Sequence, residues 1–205
     1  MNIVVAGIGT EVGKTVVSAM LCSAFGLDYW KPVQAGSLEH TDSDTVRSLV
    51  PGCRVFPERY RLSEPMSPHA AAAIDGVSIS MDELTAPDSS GLLIELAGGV
   101  MVPLASDLLN IDVVETLGFP VVLVASYYLG SINHTLLSID ALTSRGVSLA
   151  GLVFSGTANP QTRAVIVEYS GIEPLADVAQ MPKVTRENVQ TYGRELRKHP
   201  SLARL

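Results

Sequence analysis

Gly7-Ile8-Gly9-Thr10-Glu11-Val12-Gly13-Lys14-Thr15 stands between an apolar run, Ile3-Val4-Val5-Ala6, and a helix-forming segment, Val16 to Phe25. A strand that turns through glycines into a helix opening Gly-Lys-Thr constrains the chain to a sheet with a phosphate-binding loop at a strand's carboxyl end. The glycines let backbone N–H groups point inward around an anion, and the helix adds the positive end of its dipole. In such a loop Lys14 reaches the terminal phosphates and the Thr15 hydroxyl ligates Mg²⁺. The loop is a variant: five residues separate Gly7 from Gly13 where the usual pattern has four, and Ile8 fills the usual glycine position.

The remaining chain alternates strands and helices. Gly26 is a C-cap candidate for the first helix. Leu27 to Val33 reads as a second strand, which sets Lys31 at a carboxyl end beside the phosphates held by Lys14. His40 to Val46 is a polar helix start, with Asp42 or Ser43 as N-cap and Asp44 as a metal ligand. Arg54 to Leu62 reads as irregular, and Pro68 opens a short alanine helix in which His69 is a packing or capping residue. Met81 to Leu84 reads as a short helix. Leu92-Leu93-Ile94-Glu95-Leu96 is a buried-strand pattern, and a carboxylate there needs a compensating partner. Ala97-Gly98-Gly99 follows it and gives a ligand room to approach the backbone. Thr15, Asp44 and Glu95 then form an all-oxygen set suited to a hard cation.

Pro120 to Ala125 is a further apolar strand. Ser126 to His134 leads into a helix ending near Arg145, whose free N–H groups suit a carboxylate. Leu149 to Phe154 and Pro174 to Val178 read as strands, and Pro160 to Tyr169 as a helix. Ser155, Gly156, Ala179, Gln180 and Met181 occupy strand ends facing the crevice and are positional candidates for a base pocket. Lys183 to Leu205 reads as a surface helix. This alternation describes a single parallel-sheet α/β domain.

Composition narrows function. A chain of 205 residues that is 47% hydrophobic can bury a substantial core, and its net charge of -7 disfavours nonspecific binding to nucleic acid or anionic membrane. Cys22 and Cys53 lack metal or redox spacing and read as buried or half-buried thiols. Without a signal-peptide pattern or an apolar segment of ~20 residues, a cytoplasmic location is expected.

Several separated blocks together resemble the ATP-dependent dethiobiotin synthetases of biotin biosynthesis. They are Gly7 to Thr15 with its longer spacing, Lys31-Pro32-Val33 with Gly36, Ser43-Asp44, Glu64-Pro65 with Ser67-Pro68-His69, Glu95 with Ala97-Gly98-Gly99 and Pro103-Leu104, and Leu129-Gly130 with Ile132-Asn133-His134. The resemblance implies a three-layer P-loop NTPase fold, with a mostly parallel central sheet flanked by helices. It also implies a cyclo-ligase that joins 7,8-diaminononanoate and CO₂ at the expense of ATP, with Mg²⁺ held by Thr15, Asp44 and Glu95. Glu11 to Val16, Asp44, Glu95, Ala97 and Gly98 would contact nucleotide. Lys14, Lys31 and Thr10 would act in catalysis, and Thr10, Lys31, Gly99, Leu129, Gly130 and Asn133 would meet the diamine. The family's homodimer, with substrate at the subunit interface, would place the Leu129 to Asn133 helix start on the substrate of the neighbouring subunit.

This chain departs from the family at Gly9, often Asp; at Ala35, often Ser or Thr; at Leu96, a glycine; and at Ser155-Gly156, where an asparagine commonly reads the purine. Two other readings stay open. One is a partner-regulated ATPase of the partitioning type, whose signature lysine would fall at Gly9; the other is a nucleotide-binding paralogue without turnover.

Overall fold

The computed structural model describes residues 1–202. Its centre is β1 (Asn2–Gly7), flanked by β5 (Leu92–Gly99) and β8 (Val121–Ser126). These strands are continuous runs of Val, Ile and Leu because both faces of a parallel sheet are covered by helices. Ile3 to Ala6, Leu93, Ile94 and Val121 to Ala125 are all 0% exposed. With β2 (Asp28–Trp30), β9 (Leu149–Gly156) and β10 (Pro174–Ala179) they form one six-stranded sheet in the order β10-β9-β8-β1-β5-β2, every pair parallel.

Helix α1 (Lys14–Phe25) follows the glycine loop and ends at Gly26, left-handed at φ 66°, as the sequence leads one to expect. The segment read as one strand from Leu27 to Val33 is divided: after β2, Pro32 lies between it and β3 (Val33–Ala35), which joins β4 (Tyr60–Leu62) in a separate two-stranded sheet. Proline carries no N–H for a ladder, and the break carries the chain out of the main sheet. Part of the stretch read as irregular therefore supplies a strand. Helix α3 (Pro68–Asp75) packs on that small sheet, and helix α2 (Asp42–Leu49) packs against α1 and β2. The short helix near Met81 is a 3₁₀ turn, Met81–Glu83.

Beyond β5, a hairpin of β6 (Pro103–Ala105) and β7 (Leu108–Leu109) leads into α4 (Asn110–Leu117). Helices α5 (Ser131–Ser144) and α6 (Pro160–Ser170) complete the strand-helix alternation. The tail read as a surface helix contains α7 (Arg186–Arg197), but one face of it is core: Val189, Gly193 and Leu196 are buried. Gly193 lies so close to α1 that a Cβ there would stand 2.9 Å from the Met20 carbonyl oxygen. Ala203 to Leu205, the end of that expected helix, lie outside the described residues. Among the described residues no helix is long and apolar enough to cross a membrane.

Candidate functional site

The loop between β1 and α1 is shaped by backbone geometry that few residues tolerate. Gly13 has φ 93°, and a Cβ on it would stand 2.6 Å from Ser155 Oγ; one on Gly7 would meet Val12, Gly9 and Lys14 within 2.9 Å. Glu11, with a side chain, also lies in the left-handed region at φ 59°, a conformation that costs about 1–2 kcal/mol. The loop's outer residues, Thr10 and Glu11, are exposed, whereas Val12 is buried and anchors it.

At the foot of the loop, five side chains converge. Glu95 enters from β5, opposite Val5 of β1, and is 0% exposed. Its Oε2 accepts from the Tyr29 hydroxyl at 3.0 Å and its Oε1 lies 2.9 Å from Thr15 Oγ1 and 3.2 Å from Lys31 Nζ. Asp42 reaches the same place from α2: its Oδ1 lies 2.8 Å from Thr15 Oγ1 and its Oδ2 pairs with Lys31. Such a buried arrangement is a single unit, since removing one partner would strand a charge at a cost of about 3–5 kcal/mol. Lys14, on the loop itself, donates to the Gly9 carbonyl at 2.7 Å.

Burial and charge set the proton affinities. Burial holds Lys14 down to about 8, against the pull of Glu95 and Asp42, with Lys31 adding to the lowering. Burial also acts to lower Lys31, but Glu95 and Asp42 outweigh it and its value is raised. Asp42 is lowered because Lys31 and Thr15 outweigh its own burial. Tyr29 is raised by burial and by Glu95, so it remains a donor to that carboxylate.

The sequence assigned the metal-ligating position of α2 to Asp44; in the structure Asp42 faces Thr15 and Lys31, while Asp44 is engaged at the start of its own helix. Thr41 is the N-cap; its hydroxyl accepts from the Asp44 N–H, and the Asp44 carboxylate accepts back from the Thr41 N–H at 3.1 Å while pairing with Arg47. A capping box occupies its third helical residue in this way. Asp42, at the first helical position, is left to face Thr15 and Lys31. The Thr-x-x-Asp spacing was the available signal that Asp44 was already engaged.

A cavity of about 690 Å³ opens over this cluster. Of the anticipated residues, Thr10, Glu11, Gly13, Lys14, Thr15 and Val16 line it from the loop, and Lys31, Glu95, Ala97 and Gly98 from strand ends. Leu96 is absent from the lining because it is buried in the core, so its bulk does not crowd the site. Gly99 also lies outside the lining and backs onto Gly9, whose backbone a Cβ at Gly99 would meet at 3.5 Å. Buried Asn110, unforeseen from sequence, ties the end of β5 by donating to the carbonyls of Ala97 at 2.6 Å and Gly99 at 2.9 Å.

A second cavity, of about 330 Å³, shares Glu11, Gly13 and Val16 with the first and adds Val12. Ser155, Gly156, Ala179, Gln180 and Met181 all line it. Its floor includes Tyr127, missed from sequence, stacked on Phe154 with ring centroids 5.3 Å apart and its hydroxyl donating to Asp177 at 2.9 Å. Thr157 donates to Gln180 at 2.9 Å, and the Ala179 N–H donates to Tyr192 of α7 at 3.1 Å. Leu129, Gly130 and Asn133 line neither cavity; they lie on the exposed turn into α5, with Leu129 fully open to solvent.

Thr15, Asp42 and Glu95 supply only oxygen, the donor type a hard divalent cation takes, and both carboxylates stand within hydrogen-bond reach of the Thr15 hydroxyl. The residues present therefore fit Mg²⁺, with Asp42 in the place expected of Asp44.

Comparison with known proteins adds to this geometry. Residues 1–188 match the family described as AAA domain. The chain is 44% identical, over 95% of its length and 95% of the relative's, to the ATP-dependent dethiobiotin synthetase BioD of Christiangramia forsetii. It is 47% identical, over 92% of both chains, to the protein of the same name from a Bradyrhizobium species. Among solved structures, the MinC:MinD cell division protein complex of Aquifex aeolicus shares the fold with a TM-score of 0.55 at 13% identity, covering 95% of this chain and 86% of that one.

Proposed function

Because this chain belongs to the ATP-dependent dethiobiotin synthetase family and is an ATP-dependent ligase of biotin biosynthesis, we propose that its cleft closes the ureido ring of dethiobiotin on 7,8-diaminononanoate in the cytoplasm. Residues 1–205 act as one P-loop ligase domain. One amine adds to CO₂ through a new N–C bond and gives up a proton, leaving a carbamate. A carbamate oxygen attacks the γ-phosphorus, and the bond to ADP breaks, giving a carbamic-phosphoric anhydride. The second amine attacks the carbonyl carbon, and phosphate departs with the C–O bonding pair.

None of these steps needs an enzyme nucleophile; they need placed reactants and neutralised phosphate charge. Lys14 meets the β- and γ-phosphates, and Lys31, held at the cleft floor, faces the carbamate oxygen and the γ-phosphate. Thr15, Asp42 and Glu95 would hold Mg²⁺, which would supply further positive charge against the phosphates. Glu11 to Val16, Ala97 and Gly98 line the nucleotide, whose base takes the cavity of Ser155, Gly156, Ala179, Gln180 and Met181. Thr10 faces the diamine.

The observation that carries this reading is the convergence of two buried lysines and two carboxylates under one phosphate loop, in a cavity with space for a second substrate beside the phosphates. Leu129, Gly130 and Asn133 lie outside both cavities, which supports a homodimer in which they serve the diamine tail of a second copy. Gly9 stands where the partitioning ATPases' signature lysine would be, and both lysines and the oxygen donors of a turnover site are present.

The test is phosphate release with diaminononanoate, bicarbonate and nucleoside triphosphate. Release that depends on the diamine and yields dethiobiotin is expected; nucleotide hydrolysis indifferent to the diamine would overturn the reading.

A further inference from the structure

Every oxygen of the two carboxylates under the loop already has a partner. Glu95 Oε2 accepts from Tyr29, and Oε1 is shared by Thr15 at 2.9 Å and Lys31 at 3.2 Å. Asp42 gives one oxygen to Thr15 at 2.8 Å and the other to Lys31. The Lys31 ammonium thus sits on one oxygen of each carboxylate that a metal would need. It is 5% exposed and Glu95 is 0% exposed, so water can do little to screen charge there. The charges also balance: two carboxylates face two lysines, since Lys14, held on the Gly9 carbonyl, borders the same cavity.

A divalent cation arriving alone would have to expel Lys31 into a cleft whose one remaining lining carboxylate is Glu11, on the solvent-exposed outer edge of the loop, or lie beside it. Like charges a few ångströms apart in a buried site repel strongly. A triphosphate arriving with the cation changes this, because its oxygens can take over the ammonium that the metal displaces. Lysine suits such a transfer: its charge is compact and rides on a flexible four-carbon stem.

We propose that Lys31 is a built-in counter-ion that excludes bare divalent metal from the site and yields its place only when metal and triphosphate enter together. The proposal rests on the ligase reading in taking these oxygens as the metal's. It adds an order to the reaction: the metal's arrival with nucleotide releases Lys31 from the carboxylates toward the phosphates, so the catalytic ammonium is delivered by the binding event itself.

Mn²⁺ titration followed by electron paramagnetic resonance, with no nucleotide present, tests this directly. Wild type should bind Mn²⁺ weakly. Lys31→Met, which keeps the length and loses the charge, should bind it at least about tenfold more tightly, while Lys31→Arg should stay with wild type. Adding Asp42→Asn to Lys31→Met should remove the gain, which places the ion on these carboxylates. Lys31→Gln is read in parallel, with circular dichroism of each variant, so that the result does not hang on one substitution folding.

Tight Mn²⁺ binding by wild type alone overturns the proposal without any variant. So does equal affinity in wild type and a folded neutral variant, or a gain in Lys31→Arg as large as that in Lys31→Met. Diamine-dependent phosphate release by the same wild-type preparation separates the two readings: its loss counts against the ligase and leaves the metal-exclusion result standing.

Discussion

The two cavities that meet at Glu11, Gly13 and Val16 are built on different physics. Under the phosphate loop, buried charges are matched atom for atom: Lys31, Thr15 and Tyr29 leave no oxygen of Asp42 or Glu95 spare. At the ends of β9 and β10, neutral contacts do the shaping, through the stack of Tyr127 on Phe154 and single hydrogen bonds such as Thr157 to Gln180. Charge in a low-dielectric pocket is strongly coupled and exacting about position. Neutral groups at a half-exposed rim are worth about 0.5–1.5 kcal/mol each and can be exchanged one at a time. Substitutions in the first cavity should therefore act on turnover, and those in the second on nucleotide affinity.

The largest effect is expected at Asp42. Asp42→Asn should lower kcat about 10²–10³-fold, the scale on which removal of a charge-stabilising group acts. Asp44→Ala should leave kcat unchanged and instead lower the melting temperature, since a lost capping interaction costs about 1 kcal/mol. Steady-state kinetics with thermal melts on the pair decides it; a collapse of kcat in Asp44→Ala with an active Asp42→Asn would restore the sequence-based assignment.

Next comes pH. Lys14 in the free protein is held down to about 8 from its ordinary 10.5 by burial. Phosphate needs the charged ammonium, so kcat/KM should fall as pH rises past about 8, by up to about tenfold per unit. Stability runs the opposite way. The cost of burying a charged Lys14 is fully present below pH 8 and is relieved as pH rises toward 10.5. Lys14→Met should accordingly melt above wild type at pH 7, with the gap closing toward pH 10. A kcat/KM profile flat from pH 7 to 10 would show that Lys14 does not titrate there.

The smallest effect belongs to the second cavity. Tyr192 of α7 accepts the Ala179 N–H at 3.1 Å and steadies the wall formed by Ala179, Gln180 and Met181. Tyr192→Phe should raise the nucleotide KM by about 2–10-fold, the worth of one neutral hydrogen bond, with kcat and the diamine KM unchanged. A fall in kcat of the same size would erase the distinction between the two cavities.

Much of the site was legible before any fold was known, and the reasons are local. Gly7 to Thr15 needs left-handed glycine, a lysine and a hydroxyl in consecutive positions, and those requirements leave their mark in the chain. Glu95 was visible as a lone carboxylate in an apolar strand, and Ser155, Gly156 and Ala179 to Met181 as strand ends on the crevice side. Asp42 was not, because Asp42 and Asp44 lie about 200° apart around a helix at 100° per residue, on nearly opposite sides, and only the docking of α2 decides which one turns inward. Tyr29 was hidden for a similar reason: an apolar strand carries no label for which hydroxyl will meet the buried acid.

The tail shows the same division. Its polar composition predicted a surface helix, and α7 is indeed exposed along most of its length, yet Val189, Gly193 and Leu196 seat it on α1. The sequence by itself determined the phosphate loop, the parallel sheet and the family, because each is written in residues adjacent along the chain or repeated with strand and helix periods. Only the tertiary structure decided that Asp42 rather than Asp44 joins Thr15 and Glu95, that Lys31 occupies their shared oxygens, and that a C-terminal helix steadies the second cavity. Those outcomes depend on side chains 27 to 80 residues apart meeting in space, as Thr15 does with Asp42 and Glu95, and local propensity carries no term for such a meeting.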